Sequence, residues 1–204
     1  MPGQEATWRE ALRAYIRREA QPVEKVGHQP RLYALACQVG AGLRYDDDVV
    51  FAAVWLHDLG VFIGHRPEAL EALQRWDSVS YAMERARELL RGMGFPEAKT
   101  AAVVAVIGTH QPGHEPMSLE GAIVRDADIL EQLGAIGILR TVCKVGRDTR
   151  FAGFTEAVTS LRKAVETLPG MLKLDSARAL AGPKVAMLKD FLEAVKAEDQ
   201  GALG

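Results

Sequence analysis

The sequence predicts an all-α fold, and three observations carry that expectation. Apolar residues recur with a helical period nearly everywhere along the 204 residues. No hairpin dipeptide stands between alternating β-branched residues. Glycine or proline punctuates several of the periodic stretches, as at Gln21-Pro22, Gly40, Gly60 and Pro112-Gly113. No repeat of fixed period appears, and nothing in the composition marks a seam, so the chain reads as one domain over residues 1–204.

Taken in order, Thr7 caps a first helix whose Trp8, Leu12, Tyr15 and Ile16 share a face, until Gln21-Pro22 stops it. A second helix runs from about Gln29 to Val39 and ends at Gly40 and Gly42. Asp46, Asp47 and Asp48 suit the positive end of a third, which carries Val50, Val54 and Leu56 up to Gly60. That helix is apolar nearly all round and belongs deep in the core. Pro67 fits a helix start in "RPEALEALQRW", and a further helix covers Ser78 to Arg91. Pro96 opens the next, which closes near His110 because Pro112 and Gly113 cannot continue it. Ser118 begins another, where Ile123, Val124, Ile129 and Leu130 surround Asp126 and Asp128. Two more helices follow across 151–199, packing on the core, with Gly182-Pro183 interrupting before "KVAMLKDFLEAVKAE". The tail "DQGALG" is expected to fray.

Composition narrows the function. A net charge of −2, with only short basic clusters such as Arg13, Arg17 and Arg18, argues against nucleic acid as the ligand. The longest apolar runs, "VVFAAVWL" and "AAVVAVIG", span eight residues each, against the roughly 20 a bilayer requires. The polar N-terminal "MPGQEATWREALRAY" has no secretory h-region. Cys37 and Cys143 lie outside any C-x-x-C spacing and read as buried thiols in a reducing cytoplasm.

The chemistry starts from "AAVWLHDLG", where an apolar run ends on two metal-binding side chains. Metal sites in helical proteins are assembled from side chains projecting inward from different helices. Four residues near helix ends or on apolar faces qualify: His28, His57, Asp58 and Asp128. Neighbours on a helix point about 100° apart, so an ion at a helix end is within reach of both His57 and Asp58. Imidazole with carboxylate suits Mn, Fe, Ni, Co or Zn better than Ca. Each residue has a plainer reading as well. His57 fits a core imidazole, Asp58 a helix-end residue, His28 a cap, and Asp126 and Asp128 solvent-facing carboxylates.

Order and surroundings shift the balance. "HQPRLYALA", "AVWLHDLG", "VIGTH" and "EGAIVRDADILEQLGAIGILR" together resemble the HD-domain superfamily of metal-dependent phosphohydrolases, in particular its small single-domain hydrolases, over about residues 24–145. The H…HD…D pattern falls on His28, His57, Asp58 and Asp128, the last through an A-D-x-L element that picks Asp128 over Asp126. The resemblance implies that these four hold one divalent transition metal, with Mg a further candidate and a second metal left open. Asp58 then doubles as ligand and water-orienting base. His110, matching an I-x-x-H element, contacts the leaving group, donates a proton or binds a second metal, and His114 is open to the same roles or to a surface loop. Arg31, three residues after His28, clamps a phosphate or is a solvated cation. Arg125 and Arg140 divide in the same way, and Tyr81, Met83 and Trp76 read as core or rim.

The chain also departs from its relatives. Ser78 stands where many have a histidine, with His65 the nearest substitute. Val61 replaces the lysine of HD-G-K proteins, and Glu131 an aspartate. The expectation is a metal-dependent phosphohydrolase for a small phosphorylated substrate, a nucleotide among the candidates, with homodimerisation open. The alternative is a non-catalytic regulatory module that binds a metal or nucleotide.

Overall fold

The computed structural model describes residues 3–147, 151–201 and 203; Met1, Pro2, Ala202 and Gly204, at the two ends read above, lie outside the described residues. Among the described residues there are ten α-helices and no strand. They are α1 (Gly3–Glu19), α2 (His28–Val39), α3 (Asp47–Leu56), α4 (Leu70–Gln74), α5 (Ser78–Gly92), α6 (Glu97–Thr109), α7 (Leu119–Glu131), α8 (Gly134–Val142), α9 (Phe154–Thr167) and α10 (Asp175–Glu198). The chain divides into two compact units, Met1–Arg125 and Asp126–Gly204. No helix among the described residues is long and apolar enough to cross a membrane.

In the first unit α3 is the central element and packs against α1, α2 and α6. Its eight residues Val49 to Leu56 are each at most 5% exposed, as a helix apolar on every side requires. Asp46 caps it, its side chain accepting from the Asp48 N–H at 3.1 Å, while Asp47 and Asp48 sit at the positive end of the helix dipole. Ion pairs tie this end to its neighbours. Lys99 of α6 reaches both Asp46 and Asp48 at 2.8 Å, and Arg9 of α1 pairs with Asp47 at 2.9 Å and with Asp48. Burial pushes the Asp48 carboxyl upward, but the hydrogen bonds from Arg9 and Lys99 outweigh it and hold its pKa below the usual range. Trp8 packs edge-on against Phe51 and Phe95, closing the core beneath α1.

In the second unit α8, α9 and α10 pack on one another. Ala157, Val158 and Leu161 of α9 and Ala177, Ala181, Leu188 and Leu192 of α10 are buried at helical spacing. Asp126, fully buried, accepts from the N–H groups of Lys173 and Leu174 at 2.8–3.1 Å, supplying acceptors for donors ahead of α10.

Several expected boundaries move. Thr7 lies inside α1, because the helix formers Gln4, Glu5 and Ala6 carry the helix back to Gly3. Pro67 does not open a helix: the stretch is held by a bridge between Ile63 and Arg66, and α4 starts at Leu70. Gly182-Pro183 does not interrupt α10, which continues through Pro183 because the buried residues on both sides of it hold the helix in its packing. Cys37 and Cys143 are exposed rather than buried. Leu32, Ala36 and Val39 take the inward face of α2, leaving Cys37 outward, and Cys143 falls at the C-terminal cap of α8.

Candidate metal centre

Three helix ends of the first unit bring imidazoles together. His28 is the first residue of α2, one position ahead of the expected start, and Pro30 fits the first turn because no intrahelical bond needs its missing N–H. His57 caps the C-terminus of α3, and His110 that of α6. All three are buried, at 3%, 3% and 6% exposure, so their ring nitrogens face protein rather than bulk water.

Backbone carbonyls set the tautomers. The Val54 carbonyl lies 2.9 Å from His57 Nδ1, and the Ile107 carbonyl 2.6 Å from His110 Nδ1. A carbonyl only accepts, so in each ring the Nδ1 carries the proton and the Nε2 its lone pair. The Nε2 atoms of His57 and His28 stand 3.3 Å apart, and the rings of His57 and His110 meet edge to face at 4.9 Å between centroids. Asp58, 18% exposed at its side chain, places one oxygen 3.5 Å from His28 Nε2 and the other 3.6 Å from His57 Nε2.

These separations test whether the residues fit a metal. Two nitrogens each about 2.05 Å from a tetrahedral ion stand about 3.3 Å apart. Donor atoms of His28, His57 and Asp58 therefore face one another at the spacing of a coordination polyhedron's edges. Two imidazoles and a carboxylate suit a divalent transition ion, and the hydrogen bond at His57 Nδ1 is the kind of outer contact that orients a ligating histidine.

The turn carrying Asp58 is built by packing. α3 ends at Leu56 rather than Gly60, and residues Leu59–Val61 form a single 3-10 turn. An added Cβ at Gly60 would lie 2.2 Å from the Ser78 carbonyl oxygen, so only glycine lets the start of α5 approach here. The Trp76 indole N–H donates to the Gly60 carbonyl at 2.7 Å.

The remaining candidates separate. Arg31 is exposed, and its guanidinium lies over Gly27, beside His28. His65 is spoken for: its Nε2 donates to Glu19 at 3.2 Å and its Nδ1 accepts from the Tyr81 hydroxyl at 2.9 Å. Ser78 opens α5, and His114 is exposed in the turn after α6. Arg125 is buried and donates to the Pro112 carbonyl at 2.6 Å, bracing the segment after His110. In the second unit Asp128 accepts from the Gln132 side chain at 3.2 Å, while Arg140 pairs with buried Glu131. Asp126 is an anchor in the interior rather than a solvent-facing carboxylate. Glu19, Gly60 and Asp126 had no site role in the sequence reading; the glycine two places after His-Asp is the one signal that could have pointed to the turn.

The fold recurs among known structures. No curated protein matches the chain. Solved structures do. YpgQ of Bacillus subtilis has a TM-score of 0.71 and 22% identity, over 98% of this chain and all of that one. The same protein in complex with ADP scores 0.69 at 21% identity, over 97% and 98%. A Lactobacillus plantarum protein reaches 0.71 at 22% identity, over 96% and 98%. A predicted HD superfamily hydrolase from an uncultured Thermotogales bacterium reaches 0.64 at 23%, over 93% and 91%. The sequence model of the HD domain matches residues 26–133, more than half of the chain and the stretch that holds His28, His57, Asp58 and Asp128, and on that match the chain belongs to the HD-domain family.

Proposed function

We propose that the protein is a metal-dependent phosphohydrolase that cleaves a small phosphate ester. The observation that carries this reading is the approach of His28 Nε2, His57 Nε2 and the Asp58 carboxylate to within 3.3–3.6 Å of one another at buried helix ends. His28, His57 and Asp58 would hold one divalent transition metal, with Asp128 as fourth ligand on the order of the H…HD…D motif. When bound, such an ion lowers the pKa of a water from about 15.7 toward about 7 and withdraws charge from a phosphoryl oxygen.

The chain's own residues supply the rest. Asp58 has two oxygens, so one can ligate while the other orients the attacking water and takes its proton. His110, fixed through Nδ1, presents an Nε2 lone pair that can take up a proton and pass it to the departing oxygen. Arg31 lies beside His28 at the surface, where its planar fork fits a phosphate's oxygens. The ADP complex of YpgQ, a protein of similar fold, supports nucleotides as the first substrate class to try.

A second reading, a non-catalytic module binding metal or nucleotide, draws on one observation. His65 has both nitrogens engaged by Glu19 and Tyr81, so it does not replace the histidine missing at Ser78. One experiment separates the two readings: metal analysis of the purified protein, then a phosphatase screen over nucleotides and sugar phosphates with that metal restored. About one transition ion per chain is expected, with His57→Ala and Asp58→Ala abolishing its retention and any turnover. Protein unable to take up Mn, Ni, Co or Zn would sink the hydrolase reading, and metal uptake without turnover would favour the binding module.

A further inference from the structure

We propose that Trp76 is a positioning residue for the metal centre: its indole N–H holds in register the turn that presents Asp58. The inference rests on the reading of His28, His57 and Asp58 as metal ligands. Asp58 is tied into its turn because its carbonyl accepts the Val61 N–H at 3.0 Å. Gly60, in the middle of that turn, is buried, so its carbonyl needs a partner inside the protein. A 3-10 turn running on past Val61 would supply one from the Ile63 N–H, but that N–H is committed to the Gln21 carbonyl at 3.1 Å. The Trp76 indole supplies it instead, at 2.7 Å. Two long-range bonds thus close the 3-10 turn and set the backbone that follows Asp58.

Trp76 is itself held in place. Its ring packs on Tyr81 at 5.2 Å between centroids, and the Tyr81 hydroxyl donates to His65, whose other nitrogen donates to Glu19 at the end of α1. Burial works against the charged form of Glu19, but hydrogen bonds from Arg18 and His65 outweigh it and keep the carboxyl below its ordinary pKa, an anion at neutral pH. The series Glu19, His65, Tyr81, Trp76, Gly60 runs from one helix end to the ligand turn. Through it the segment "WDSVS", which lacks a histidine at Ser78, contributes an indole to the site.

The test uses the full chain and Zn²⁺ alone. Trp76→Phe keeps an aromatic ring against Tyr81 and removes the N–H together with part of the indole. Trp8→Phe, on an indole nitrogen with no partner among the described residues, is the control for losing an indole ring. Trp76→Phe should weaken Zn²⁺ affinity by about 10- to 100-fold, as lost outer contacts do, and speed amide exchange at residues 58–62. Trp8→Phe should leave both unchanged. In the unsubstituted protein, which needs no variant to fold, adding Zn²⁺ should shift the ¹⁵N-indole resonance of Trp76 and leave that of Trp8 in place. Wild-type Zn²⁺ affinity in folded Trp76→Phe, or a Trp76 resonance indifferent to Zn²⁺, overturns the inference alone. Absence of Zn²⁺ uptake by the unsubstituted protein overturns it together with the metal-centre reading.

Discussion

Gly60 shows how much a single backbone position carries. Its missing side chain lets the first residue of α5 approach within a distance no Cβ tolerates, and its carbonyl accepts the Trp76 indole. Gly60→Ala must push α5 or the ligand turn aside. The expected cost is about 2 kcal/mol, the range of overpacking in a tight interior, read by chemical denaturation. Since the displaced atoms flank Asp58, metal retention should fall with it. His57 and His110 make the complementary point. Each spends its Nδ1 proton on a carbonyl three residues earlier in its own helix, so the backbone of a helix C-terminus orients the ring. Asp126 and Asp128, two positions apart, separate by surroundings: one is buried on the N–H groups of Lys173 and Leu174, and the other is part-exposed beside Gln132.

At the level of elements, the N-terminus of α3 combines a cap with an ion-pair cluster, and two substitutions divide those contributions. Asp46→Asn keeps a side-chain acceptor for the Asp48 N–H but loses the charge facing Lys99, whereas Asp46→Ala loses both. Asp46→Ala should therefore be the less stable by about 1 kcal/mol, the usual worth of an N-cap acceptor, measured by urea unfolding of the pair. α10 marks the limit of local rules. A Gly-Pro pair ordinarily ends a helix, yet buried Ala177 and Ala181 before it and Leu188 and Leu192 after it are gained together when the helix runs straight through. Packing over the helix outweighs the local penalty at Pro183.

At the scale of the whole molecule the ion cluster at the start of α3 makes a contribution to stability that acid removes. Folding lowers the Asp48 pKa, so the native state binds fewer protons there than the unfolded chain. The stabilisation is complete above the unfolded value, about 3.9, and is lost as pH falls through the lower folded value. Thermal unfolding of the wild type against Asp48→Asn should thus differ most near neutrality, and the gap should close in acid. How much could be read beforehand follows from the range of each interaction. Helical periodicity, the apolar character of α3, its acidic start, and the pairing of His57 with Asp58 at its end are local and needed only the sequence. So did the motif order that leads to the HD-domain family. The end of α3 at Leu56, the continuation of α10 through Pro183, the exposure of both cysteines, and the burial of Asp126 depend on partners tens of residues away. The 3.3 Å approach of His28 to His57 and the Trp76 bond to Gly60 are of the same kind, because the energy of a contact exists only once distant segments are packed side by side.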